Sequence, residues 1–290
     1  MVILQLKGGL GNQLFQYAAG LGLAMHHNVL LKVDIQYLKK PDDTIGTIRN
    51  YELQQLIAPP NIATNLELSE LIQQNIFARS FEKLLPTFRR KIYAEKSFEF
   101  DSNFFKAGKN IYLKGYRQSE KYFINIEDKI RNQIKFQPTL LSEVANYANF
   151  LQNITSISIH IRRGDYTNTN VNKYHGVMTR EYYQQAINTI SSLINNPSFF
   201  IFSDNIDWVK DNLQFSSSAT FVSGKISKNH YQDFYLMSQC KHNIIANSSF
   251  SWWAAWLNNN PNKIVIAPKK WFNNAPLNYK DLIPESWIKI

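Results

Sequence analysis

Three places in the 290-residue sequence put polar groups where chemistry could use them. HIRRGDY, residues 160–166, sets His160, Arg162, Arg163 and Asp165 directly behind the alternating apolar residues Ile157, Ile159 and Ile161. Two forked guanidiniums beside an imidazole suit the oxygens of a phosphate or diphosphate. NSSF, residues 247–250, leads into an apolar stretch, so the hydroxyls of Ser248 and Ser249 gather beside Phe250 with free backbone N–H groups at a helix start. That is an anion site by construction, although a plain N-cap serine reads the same way. GGLGNQ, residues 8–13, follows a short apolar run and opens another helix, presenting Gly11, Asn12 and Gln13 on a turn.

Such groups need a scaffold. Val2 to Leu6 reads as a strand, Asn12 to His27 as a helix and Val29 to Val33 as a second strand, a βαβ opening. Residues 40–140 alternate short apolar segments with Pro41, Pro59, Pro60, Pro86 and Pro138, and periodicity does not order their elements. Beyond Pro138 the pattern predicts helix 139–151, strand 156–161, helix 179–194, strand 199–202, helix 206–213, strand 220–222, helix 230–240, strand 242–246, helix 250–258 and strand 263–266. Strands alternating with helices in this way make a parallel sheet covered on both faces. Ligands of such sheets sit beyond the carboxyl ends of the strands, where His160, Arg162, Ser203, Asp204 and Ser248 fall. Alternation sends His160 and Arg162 to one face and Arg163 to the other, so the two arginines take different jobs. Trp252, Trp253 and Trp256 recur at helical spacing and read as core.

Composition narrows the classes. With 44% hydrophobic and 19% charged residues the chain can bury a full core, and its length suits one large or two medium domains. Cys240 is the single cysteine, so an intramolecular disulfide and a cysteine-based zinc site are excluded. No run approaches the ~18 apolar residues of a membrane span, and the start is not a signal peptide, so a cytoplasmic location is expected. The formal charge of +10 implies an anionic partner. A nucleic-acid ligand is not expected, and peripheral contact with an anionic surface on the inner face of the cytoplasmic membrane is left open.

Three motifs in order, GGLGNQLFQYA (8–18), HIRRGDY (160–166) and DFYLMSQCKHNIIANSSFSWWAAWL (233–257), resemble those of bacterial α-1,2-fucosyltransferases of glycosyltransferase family 11. The resemblance spans both ends of the chain and is looser in the middle. It implies an α/β, GT-B-like fold of two Rossmann-like domains facing a cleft. Residues 1–145 would then be the acceptor-side domain and 146–290 the donor-binding domain, with a C-terminal tail free to pack back on the first. It implies GDP-β-L-fucose as donor, no cofactor, and inverting transfer to the 2-hydroxyl of a terminal galactose in a glycan. More distantly, the motifs are similar to those of protein O-fucosyltransferases and α-1,6-fucosyltransferases. By that similarity Arg162 binds the pyrophosphate, Asp233 the donor, and Asn12, flanked by Gly11 and Gln13, faces fucose and acceptor. His160, Ser203, Asp204, Ser248, Ser249 and Phe250 complete the expected donor site, and Asp165 is the nearest carboxylate for a general base.

The chemistry of the residues leads the same way. Breaking a sugar–diphosphate bond throws negative charge onto the diphosphate, which cations or a metal must meet. No Asp-x-Asp triplet occurs to hold a metal between diphosphate oxygens, so arginine is expected to do it and no metal site is expected. One rival is an NAD-dependent oxidoreductase, because GLGNQL approaches a dinucleotide fingerprint and Asp34 ends the next strand. There the third glycine is replaced by Leu14, and HIRRGDY would have no role. The other rival, a non-catalytic glycan-binding protein, has no use for a diphosphate cradle.

Overall fold

The computed structural model describes residues 1–40, 48–72, 82, 84–164, 176–215, 217–273 and 278–290. Met1–Lys135 with Leu277–Pro284 form one unit, and Phe136–Pro276 with Glu285–Ile290 form a second.

In the first unit, β1 (Val2–Gln5), α1 (Leu10–His27) and β2 (Leu31–Asp34) make the expected βαβ opening. The unit continues with α2 (Asn65–Ile72), β3 (Ile92–Ala94), β4 (Ile111–Lys114) and α3 (Glu127–Gln133). The strands form an all-parallel sheet of order β2-β1-β4-β3. Helix α1 lies close on β1 because Gly20 has no side chain there: a Cβ would come within 2.5 Å of Leu4 Cδ2. The close helix–strand contact that a dinucleotide fingerprint assigns to its third glycine is thus made later in the helix, while Leu14 is simply core. The 277–284 segment is tied in by polar contacts. Asp281 Oδ2 accepts from the Phe100 amide at 3.0 Å, its Oδ1 pairs with Lys121 Nζ at 2.6 Å, and Asn278 Nδ2 donates to Glu99 Oε1 at 2.6 Å.

The second unit opens with α4 (Pro138–Leu141) and α5 (Ala145–Asn153), joined by a 3₁₀ turn where one helix over 139–151 was expected. Both pack on a later helix of this unit, so the expected division at 145/146 falls at the start of α5. Then follow β5 (Ser156–Ile161), α6 (Arg180–Leu193), β6 (Ser198–Ser203), α7 (Ile206–Asn212) and β7 (Ala219–Phe221). The unit ends with α8 (His230–Gln239), β8 (His242–Ile244), α9 (Ser249–Leu257), β9 (Val265–Ala267) and β10 (Ile288–Lys289). All these strands are parallel, in the order β7-β6-β5-β8-β9-β10. Counted from β5 this is 3-2-1-4-5-6, the doubly wound Rossmann order.

Every residue of β5 is buried, as a central parallel strand requires. Ile157, Ile159 and Ile161 pack with Tyr183, Ile187 and Ile190 of α6, each full burial worth about 1.5–3 kcal/mol. Ser158 on the other face accepts a hydrogen bond from Asn243 Nδ2 at 2.7 Å, which satisfies two buried polar groups in neighbouring strands. Trp252, Trp253 and Trp256 are core, and Cys240 is buried. No helix among the described residues is long and apolar enough to cross a membrane.

Candidate functional site

In the second sheet the chain winds outward in both directions from β5, so the topological switch point lies between β5 and β8. Open α/β sheets bind ligands beyond the carboxyl ends of those two strands. His160 stands at the end of β5 and Phe250 in the first turn of α9, just after β8, with ring centroids 5.6 Å apart. Phe250 also meets Phe234 of α8 at 5.4 Å, so an aromatic wall backs this corner. Burial, reinforced by the neighbouring Arg162 charge, pushes the His160 imidazole down to about 3. It is therefore neutral at ordinary pH, and its buried Nδ1 has no hydrogen-bond partner among the described residues.

Arg162 follows β5 and pairs through Nη1 with Asp204 Oδ2 at 3.0 Å; both side chains keep part of their surface exposed. The other oxygen of Asp204 accepts from the Arg163 backbone N–H at 2.8 Å. One carboxylate at the end of β6 thus holds both the side chain and the backbone of the arginine segment. Gly164 is fitted to this clamp, since a Cβ there would lie 2.8 Å from Asp204 Oδ2. Arg163 turns elsewhere, as alternation predicts. Its guanidinium lies over the Trp208 ring of α7 at 4.1 Å, a cation–π contact. Asp204, expected to touch the donor, is here the partner of the arginine that was expected to do so. Asp165 lies outside the described residues.

Ser203 Oγ accepts from the Asn205 N–H at 3.0 Å, and Asn205 in turn caps α7 by accepting from the Trp208 N–H at 3.0 Å. The Ser203 N–H donates to Ser223 Oγ at 3.1 Å, and Ser223 donates to Asp233 Oδ2 at 2.8 Å. Ser227 donates to the second Asp233 oxygen. Burial raises the Asp233 carboxyl, the two serine hydroxyls opposing that rise. Asp233 therefore fixes the loop after β7 to the end of β6. Ser248 is the N-cap of α9 and accepts from the Phe250 N–H at 3.4 Å, while Ser249 occupies the first helical position, half-buried. His160, Arg162, Ser203, Asp204, Asp233, Ser248, Ser249 and Phe250 all stand along one edge of one sheet. Trp208, Ser223 and Ser227 were missed; only Ser223, two residues after β7, carried the signal of a polar residue just after a strand.

In the first unit Asn12 sits in the first turn of α1, and its Oδ1 accepts from Gln118 Nε2 at 2.8 Å. Gln13, expected on the acceptor side with Gly11 and Asn12, is fully buried. Its Nε2 donates to the carbonyls of Gly8 at 2.9 Å and Asn50 at 2.8 Å, and its Oε1 accepts from the Glu52 N–H at 3.0 Å. It clamps the 50–52 segment to the glycine turn, and both of its amide hydrogens are engaged. Gly11 is buried within α1. Asp34 is occupied as well, its two oxygens accepting from Tyr112 Oη at 2.5 Å and the Gln36 N–H at 2.9 Å. Asp34 is also buried, which leaves a ribose hydroxyl little access to it and weighs against the dinucleotide alternative. No cluster of three or more metal-ligating side chains occurs among the described residues.

Comparison with known proteins matches the family model described as Glycosyl transferase family 11 over residues 1–290. An alpha-1,2-colitosyltransferase of Escherichia coli is 36% identical over 100% of this chain and 99% of that protein. The O-antigen biosynthesis glycosyltransferase WbnK of Escherichia coli is 33% identical over 98% and 99%. A galactoside alpha-(1,2)-fucosyltransferase 2 of Pongo pygmaeus is 28% identical over 52% of this chain and 46% of its own. Among solved structures, a mutant of Arabidopsis thaliana FUT1 in complex with GDP aligns with a TM-score of 0.53 at 10% identity, covering 92% of this chain and 70% of that one. At that identity the likeness concerns the fold, which is the GT-B-like pair of Rossmann-like sheets.

Proposed function

The chain belongs to glycosyltransferase family 11, and from that premise we propose that it transfers L-fucose from GDP-β-L-fucose to the 2-hydroxyl of a terminal galactose, with inversion and without a metal. The observation that carries this is the Arg162–Asp204 clamp beside the neutral His160 at the switch point of the second sheet. A guanidinium held there by a carboxylate is preorganised to meet the charge that develops on the diphosphate as the C1–O bond breaks. The galactose O2 forms the new bond to C1 from the opposite face, and its proton passes to a base, for which Asp165 is our candidate. His160, kept neutral, can donate or accept one hydrogen bond to the donor without adding charge. Ser248 and Ser249 offer hydroxyl and N–H groups at the start of α9 to the same diphosphate. Asp233 and Ser203 shape the donor loop, and Asn12 faces fucose and acceptor.

The 36% identical colitosyltransferase favours one second reading, in which the donor sugar is colitose, the counterpart of fucose lacking the 3-hydroxyl. Initial rates with GDP-fucose, GDP-colitose and GDP-mannose, read as GDP release with lactose as acceptor, decide between them. A preference for GDP-fucose of tenfold or more is expected. The reverse preference would move the donor to colitose, and no turnover with either would overturn the proposed reaction.

A further inference from the structure

The first sheet has a switch point of its own, between β1 and β4, where the chain leaves β1 toward β2 on one side and returns through β3 and β4 on the other. Two amides meet there. Asn12 follows β1, Gln118 follows β4, and they are joined by the Gln118 Nε2 to Asn12 Oδ1 bond at 2.8 Å. The Asn12 amide lies over Gly8, where a Cβ would fall 2.5 Å from Asn12 Nδ2 and where φ is +77°. The glycine turn is therefore shaped to that side chain. With Oδ1 taken, the Asn12 NH₂ has no protein partner among the described residues, and the nearly buried Gln118 keeps an Oε1 with none either.

We propose that Gln118 fixes the polarity of Asn12: it holds the carbonyl oxygen inward, so that the switch-point site presents an N–H donor to an oxygen of its sugar ligand. Gln118 is a positioning residue in this arrangement: it is buried and acts through Asn12. This rests on the proposed sugar transfer and on Asn12 facing the reacting sugars. A donor aimed at a sugar oxygen can hold the nucleophile or stabilise charge at the reacting centre, but it cannot remove the acceptor proton. The proton must go elsewhere.

The isosteric Asn12→Asp substitution tests this directly, because it keeps shape and the bond from Gln118 while turning the outward group from donor to acceptor. GDP affinity by calorimetry should stay within a few fold and kcat for transfer to lactose should fall about 10²-fold, the scale for a lost, correctly aimed donor. Gln118→Leu should lower kcat about tenfold in the wild-type background and less than about twofold in the Asn12→Ala background, since both changes remove one unit. An Asn12→Asp variant that turns over at or above the wild-type rate would overturn the donor assignment. Equal losses from Gln118→Leu in both backgrounds would show that Gln118 acts through the fold alone. Wild-type protein that transfers neither fucose nor colitose would overturn the proposed function and this inference with it, an outcome distinct from both.

Discussion

Replacing Asp204 by asparagine separates a residue that holds the arginine from one that touches the donor. The asparagine side chain keeps one oxygen, enough for either the Arg163 N–H or Arg162 Nη1, and turns an NH₂ toward the other donor. A charge-assisted hydrogen bond contributes about 1.5–3 kcal/mol net, and the partial exposure of both side chains, 35% for Arg162 and 25% for Asp204, places this one at the low end. A loss of about 1.5–2 kcal/mol in the placement of Arg162 corresponds to a fall of about 10- to 30-fold in kcat/KM. Arg162→Ala, which removes the donor itself, should cost about 10²–10³-fold. Steady-state GDP-release kinetics and GDP calorimetry on the two single variants and the double variant read this out. In the Arg162→Ala background Asp204→Asn should add less than about threefold, because its partner is already gone. A full additional loss there would give Asp204 the direct donor contact expected of it from the sequence, and wild-type kinetics in the single variant would refute the clamp.

Arg163→Leu should act on stability, costing about 0.5–2 kcal/mol in urea denaturation through the lost contact with Trp208, with a smaller effect on kcat than Arg162→Ala. His160 has a folded-state pKa of about 3, below its value of ~6.5 in an unfolded chain, so the unfolded chain takes up the proton first. Its contribution is fully present above about pH 6.5 and is lost as the pH falls from there toward 3, at up to about 1.4 kcal/mol per pH unit; His160→Gln should flatten that part of a pH series of urea melts. Excess EDTA should leave the initial transfer rate within about twofold, and a loss restored specifically by manganese would show that the arginines are not the principal charge acceptors.

The second half was readable in the sequence because its strands and helices alternate at regular spacing and its central strand sets Ile157, Ile159 and Ile161 on one face. Polar residues placed just after those strands then had to lie along one edge. The middle of the first half was not, since β3 has three residues and β4 four, and much of what joins them is single 3₁₀ turns placed by tertiary contact. Gln118 shows the limit well: nothing near GYRQSEKY says that β4 lies beside β1, and only that adjacency brings it to Asn12. Gln13 erred the other way, because a polar residue on a turn looks exposed until the 50–52 segment is seen wrapped around it. Asp204 was located correctly at the end of β6, but sequence does not tell which cation a carboxylate will face.

The tail that leaves the second unit at 276, serves the first over 277–284 and returns to add Ile288 and Lys289 to the edge of the second sheet has a consequence for synthesis and dissection. Neither unit is a contiguous stretch of chain. A cut at 135/136 would strip the first of the partners of Glu99, Phe100 and Lys121, and a stop before 277 would damage both at once. On the ribosome, the first unit must wait for residues translated some 165 positions after β4 completes its sheet, at about 5–20 residues per second a delay of many seconds. Its maturation is thereby tied to that of its neighbour, and separately expressed halves are a poor route to either.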